Sequence, residues 1–215
     1  MSAGADLVIV GAGGFGRETI DTYLAARAAG TTDLDLLGVV DDAASPETVA
    51  LLERMGVAHL GGHEEFFALG RVVQVVIAVG SPSTRVTIAR RWEGRARSAA
   101  ALVHPSATIG SLTMPGPGSV VCAGAILSTN VRIGHSVHVN PGAVVGHDAI
   151  LDDFVSINPG AVISGNVRVG RESLIGASSC VLQGLGIGAR ATVGASACVT
   201  RDVPPDQTVK GVPAR

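Results

Sequence analysis

From Val121 to Val199 every sixth residue is Val, Leu or Ile, fourteen times in succession without a slip. Chance does not hold three residue types to one spacing over such a length. A strict repeat outranks local propensity, because each unit needs its neighbours to bury its apolar face. A helix would require apolar residues three and four apart, and an ordinary strand would alternate with period two. A spacing of six instead describes a short flat strand ending in a tight corner. Three such units close a triangular coil of eighteen residues with the aliphatic side chains stacked inside. Coils then stack at the inter-strand distance of about 4.8 Å. The period therefore predicts a parallel β-helix. The position after each aliphatic residue is usually small or turn-forming, as at Gly134, Asn140, Gly146, Asn158 and Gly170, with Leu182 an exception. Glycine and asparagine are expected there to supply the unusual φ values of the corners.

The first hundred residues follow another rule. Asp6–Val10 reads as a buried strand, followed by GAGGFG (Gly11–Gly16) and a helix to about Ala29. A second strand, Leu34–Val40, ends in Asp41 and Asp42, and a helix lies near Pro46–Met55. A third strand, Val72–Val79, closes in Gly80-Ser81-Pro82, and Arg85–Trp92 is helical. Alternation of this kind implies a parallel sheet with a binding crevice at the carboxyl ends of its strands. Two units are expected: residues 1–100, and a prism over 101–215 that His104-Pro105 opens. Aromatics at 3% suit a prism filled with aliphatic side chains.

Composition also excludes. A net charge of −2 gives no electrostatic reason to expect nucleic acid or an anionic membrane as partner. The apolar stretch Leu7–Val10 is far too short for a signal peptide or membrane span. Cys122, Cys180 and Cys198 form no CxxC pair, and no His, Asp and Cys group has zinc spacing, so no metal is expected. Reduced cysteines and a cytoplasmic location follow as expectations.

GAGGFG between a strand and a helix has the context of a phosphate cradle, since glycines permit close backbone approach and the helix N-terminus supplies N–H donors. An acid at the end of the second strand, Asp41 or Asp42, suits a ribose hydroxyl. A unit of about 100 residues holds roughly half of a dinucleotide-binding sheet. The residues favour a nucleotide or nucleotide-linked ligand, with NAD and a glycine turn that binds nothing as the alternatives. Of the six histidines, His147 stands out. It falls just past a corner of the repeat, so it should project outward, and Asp148 follows it. A neighbouring carboxylate would orient an imidazole acting as a general base. The competing reading is a solvated corner residue, as at His135. His104 more readily opens the first coil, and His59, His63 and His138 have no supporting constellation.

Taken in order, GAGGFG, Asp41-Asp42, HPSATIG (His104–Gly110), the hexads and KGVPAR (Lys210–Arg215) resemble the sialic acid O-acetyltransferase-like group of hexapeptide-repeat acetyltransferases. That group includes the nucleotide-sugar 4-amino N-acetyltransferases, and the resemblance spans essentially the whole chain. It implies a Rossmann-like N-terminal unit binding a nucleotide sugar, with UDP as the expected nucleotide. It further implies a left-handed β-helix binding acetyl-CoA between the subunits of a homotrimer. His147 takes the place of the family's catalytic base, with Asp148 as its acidic partner. Gly13, Gly14 and Phe15 match the substrate loop, with Asp41, Asp42 and Gly80 as further contacts. Phe15 stands where relatives often carry His. Gly165, eighteen residues after His147, together with Ser156 and Ala177, is placed on the acetyl-CoA path. Acetylation of a sugar hydroxyl and a non-catalytic trimeric scaffold are the alternatives from other classes.

Overall fold

The computed structural model describes residues 5–215; Met1–Gly4, the start of the expected N-terminal unit, lie outside the described residues. The first elements in chain order are β1 (Asp6–Val10), α1 (Gly14–Ala28), β2 (Asp35–Val40), α2 (Pro46–Arg54) and α3 (His63–Ala68). They are followed by β3 (Gln74–Ile77), α4 (Pro82–Trp92) and β4 (Arg97–Ser98). The strands form one parallel sheet in the order β2-β1-β3-β4. Leu7, Val8, Ile9 and Val10 are all buried, as a central parallel strand covered on both faces requires.

Two elements depart from the sequence reading. Helix α3 was missed. Its six residues begin at a local cap, the Glu65 carboxylate accepting the Gly62 N–H at 2.8 Å, and are fixed further by the Asp42 carboxylate accepting the His63 N–H at 2.8 Å and by burial of Phe66. Strand β3 is shorter than Val72–Val79: Val72 is almost fully exposed, and Val79 and Gly80 already belong to the turn before α4.

From Leu102 onward the chain is a parallel β-helix of left-handed coils, about six turns long. Its three faces are built from two-residue strands. The first runs from Leu102–Val103 through His138–Val139 and Ser156–Ile157 to Thr208–Val209. The second runs from Thr108–Ile109 through Val144–Val145 to Cys198–Val199, and the third from Arg132–Ile133 to Gly186–Ile187. Partners are eighteen residues apart as far as Val193, so that Val121 faces Val139, which faces Ile157, which faces Ile175; at the last rung Val193 faces Val209, sixteen residues on. The inward aliphatic residues form one buried column from Val121 to Val209.

The corners correct one expectation. Positive φ falls three residues after each inward aliphatic residue, at Asn130, Gly142, Asp148, Phe154, Gly160 and Asn166, and not at the position directly after it. The glycines in that nearer position serve another need. A Cβ on Gly146 would stand 2.6 Å from the Gly165 amide nitrogen, and one on Gly176 would stand 2.5 Å from that of Ala195. These glycines let consecutive coils touch backbone to backbone.

No linker separates the two halves. The Ala99 amide donates to Val75 of β3, its carbonyl accepts from Gly118, and Leu7, Tyr23, Val76, Leu102, Val120 and Cys122 share one apolar cluster. The sheet's crevice is thereby held against the first prism face. Among the described residues no helix is long and apolar enough to cross a membrane.

Candidate active site

The carboxyl ends of β1, β2 and β3 bring the expected substrate residues together. Gly11 takes φ 109°, and a Cβ there would lie 2.8 Å from the Ala78 carbonyl oxygen, so this glycine is required by the fold. Gly13 and Gly14 are different: nothing lies within 4 Å of where their Cβ atoms would be. Their bare faces are open to solvent. No side chain caps α1 at Gly13, and the first amide to find a helical partner is that of Arg17. The helix therefore presents unsatisfied N–H groups and its positive dipole end at the open side of the loop, which is the geometry of an anion site.

The two aspartates have separate tasks. Asp41 accepts the Ala12 amide at 2.7 Å and the Ala43 amide at 2.8 Å, so its carboxylate shapes the glycine loop. Asp42 accepts the His63 amide and pairs with Arg91 at 2.6 Å. These two donors, His63 first, hold its carboxyl below the usual range. His63 is buried behind it, its Nδ1 accepting the Trp92 indole N–H at 2.8 Å. Phe15 stacks on His138 of the first prism face with ring centroids 4.3 Å apart.

His147 sits on the edge where the second prism face turns into the third, with half of its side chain exposed. Its Nδ1 is 2.7 Å from Asp148 Oδ2, and Asp148 Oδ1 accepts from Asn130 Nδ2 at 2.6 Å. Asn130 and then His147 hold the Asp148 carboxyl below its usual range. An ionised Asp148 takes the Nδ1–H tautomer's proton into its hydrogen bond and leaves Nε2 as the free basic nitrogen. The left-handed φ of 59° at Asp148 turns its side chain back toward the histidine. Asn130 lies eighteen residues before Asp148, so the register that revealed the fold also held the signal for it.

The cofactor candidates divide. Gly165 lies one coil from His147: a Cβ on it would stand 2.5 Å from His147 Nε2 and 2.6 Å from Cε1. Its missing side chain makes room for the imidazole, and its N–H has no acceptor among the described residues. Ser156 is a correction. It is buried on the first face, donating to the Gly80 carbonyl at 3.1 Å and accepting from Arg85, so it is sealed at the junction and not open to a cofactor. Ala177 lies on the corner between the first and second faces, two corners on from Gly165.

His138 has the constellation the sequence did not reveal. It is fully buried, its Nε2 is 3.1 Å from the Ile77 carbonyl oxygen, and its Nδ1 has no partner. Burial first, and then the charge of Arg85, holds its pKa well below 6.5. The folded protein thus keeps His138 neutral at a pH where the unfolded chain binds a proton. Stability is complete above about pH 6.5 and falls as the pH drops below it, with a limiting slope of about 1.4 kcal/mol per unit for one histidine. The guanidinium midpoint is expected to fall between about pH 7 and pH 5.5, and to fall less in His138→Gln. A flat midpoint in the wild-type protein would contradict this.

A family profile for the PglD N-terminal domain matches residues 6–92. No curated protein sequence matches the chain. Among solved structures, the acetyltransferase domain of PglB from Neisseria gonorrhoeae FA1090, in complex with acetyl coenzyme A, is 33% identical, with a TM-score of 0.84 over 99% of this chain and 98% of that one. The chain belongs to the hexapeptide-repeat nucleotide-sugar acetyltransferases. PerB from Caulobacter crescentus, in complex with CoA and GDP-perosamine, is 28% identical with a TM-score of 0.83, covering 100% of this chain and 97% of its own. WeeI from Acinetobacter baumannii AYE is 27% identical with a TM-score of 0.81, covering 97% and 98%. These likenesses run through both halves of the chain.

Proposed function

We propose that this acetyl-CoA-dependent N-acetyltransferase acetylates the 4-amino group of a nucleotide-linked amino-dideoxy sugar, with His147 as the general base. The observation that carries the reading is the Asn130–Asp148–His147 chain on an open prism edge of a fold whose other half presents an uncapped helix N-terminus. Residues 1–100 would hold the nucleotide sugar. The diphosphate would lie against the amides after Gly13 and Gly14, with Phe15, Asp41, Asp42 and Gly80 around it. Residues 101–215 would hold acetyl-CoA beside His147 and Gly165.

Transfer is direct. The neutral sugar amine attacks the thioester carbonyl, forming the C–N bond as His147 Nε2 takes the proton. Collapse of the tetrahedral intermediate breaks the C–S bond, and the imidazolium returns its proton to the departing thiolate. The Gly165 N–H is a candidate donor to the oxyanion. Asp148 stabilises the imidazolium and fixes its tautomer.

A homotrimer fits the outward residues of the second face. Ile126, Val144, Val162, Cys180 and Cys198 form an apolar column next to the His147 edge, with Ile126 43% and Val162 37% exposed. A neighbouring prism covering that column would form a groove along the edge where acetyl-CoA is needed.

The test is mass spectrometry of the products formed from acetyl-CoA and a panel of UDP-, GDP- and dTDP-linked amino and hydroxy sugars, with free sialic acid included. An acetamido product from a 4-amino nucleotide sugar, the UDP form fastest, is expected. Acetylation of sialic acid alone would overturn the reading in favour of O-transfer.

A further inference from the structure

Among the described residues Arg85 is the largest fully buried side chain and forms no ion pair with a carboxylate. Its charge is met by backbone dipoles from both halves of the chain. Nη1 donates to the Val79 carbonyl at 2.8 Å and the Gly80 carbonyl at 3.2 Å, at the turn that closes β3. Nη2 donates to the Phe154 carbonyl at 2.7 Å, the Val155 carbonyl at 3.3 Å and Ser156 Oγ at 3.0 Å, all on the prism. Ser156 Oγ completes the triangle by donating to Gly80. Burial pushes the guanidinium down to about 9, which still leaves it charged at neutral pH.

A junction needing only adhesion would be served as well by apolar packing, since burying a charge is costly. What a guanidinium adds is a rigid planar fork that fixes two segments at one separation and angle. The two segments joined here matter to the reaction. One is the β3 end, whose Ala78 carbonyl lies against Gly11 at the root of the glycine loop. The other, Phe154–Ser156, begins seven residues after His147 in the same coil. One coil away, His138 makes a parallel connection through Ile77 and Phe15.

We propose that Arg85 is a positioning residue which fixes the angle at which the nucleotide-sugar grip stands on the first prism face; His147 of the same coil lies on the edge opposite that face, so in the homotrimer reading Arg85 sets how the acceptor amine is presented to the His147 edge of a neighbouring copy. The role rests on the transferase reading above. It concerns the geometry between two bound substrates and not the binding of either.

Arg85→Met keeps the length and apolar bulk of the stem and removes the fork. In the full-length enzyme its kcat should fall at least about tenfold, with the dissociation constants of acetyl-CoA and nucleotide sugar within about threefold of wild type, because small misplacement of reacting groups is costly. Arg85→Lys keeps the charge without the fork and should stay close to Arg85→Met, and Ser156→Ala, a milder change, should shift kcat in the same direction. Hydrogen exchange should quicken at residues 78–82 and 152–158 while β1 stays protected. A folded Arg85→Met enzyme with wild-type kcat, or full recovery of kcat by lysine, would overturn the proposal. If the wild-type enzyme acetylates no nucleotide sugar, the functional reading fails instead, and unchanged exchange in Arg85→Met would then refute the clamp by itself.

Discussion

Replacement of His147 by alanine should lower kcat for acetyl transfer by about 10²–10⁴-fold, the usual contribution of a positioned general base. The geometry argues for an effect on the chemical step. His147 is exposed, adds nothing to the aliphatic column, and has its Nδ1 committed to Asp148, whose other oxygen is held by Asn130. Removal of the ring therefore leaves the coil intact and takes away only the proton acceptor. The melting temperature and the dissociation constants of both substrates should remain near their wild-type values. A variant that turns over acetyl-CoA at the wild-type rate would remove His147 from the mechanism.

The second large effect comes from one added methyl group. In Gly165→Ala the new Cβ would meet the His147 ring at 2.5–3.0 Å across Nε2, Cε1 and Cδ2. Gly165 does not adopt a positive φ, so alanine is compatible with its backbone. The atoms in conflict belong to an exposed side chain, which yields more readily than the coil does. The fold should survive while the imidazole swings off its site, and kcat should drop by about 10²-fold, since displacements near 1 Å carry that cost. In the His147→Ala background the same substitution should cost little more, because the two changes act on one group. A wild-type kcat in Gly165→Ala would show that the ring does not work from the position seen here. Additive losses in the double variant would give glycine a role of its own, such as an oxyanion contact.

What could be read from the chain divides along physical lines. The prism was legible because a one-dimensional stack repeats its constraint: Val121, Val139, Ile157 and Ile175 answer to the same neighbour at the same distance. The places of His147, Asp148 and Gly165 on the prism follow as offsets within the same register, while the roles proposed for them come from the family resemblance. The role of the corner glycines was misassigned because single-chain propensity speaks of φ, whereas Gly146 answers to the next coil's backbone. Helix α3 has a local trace that was passed over, Glu65 capping the Gly62 N–H, whereas the Arg85 junction left none, since it is created by contacts between segments far apart in sequence, Arg85 with Phe154. Ser156 shows the same limit. The resemblance put it on the acetyl-CoA path, but what lies against that face is the N-terminal sheet.

The register has a further consequence. The base at His147 and the anchorage at Phe154–Ser156 belong to one coil, separated by a single strand, Ile150–Leu151. The separation of base and anchor along the chain is therefore set by fewer than ten residues. Later rungs repeat at eighteen residues and close to sixteen between Val193 and Val209. Coils beyond Ile175 are in this sense modular: whole turns can be gained or lost there in evolution without retuning the reactive geometry, whereas a single inserted residue between His147 and Ser156 would throw base and anchor out of phase.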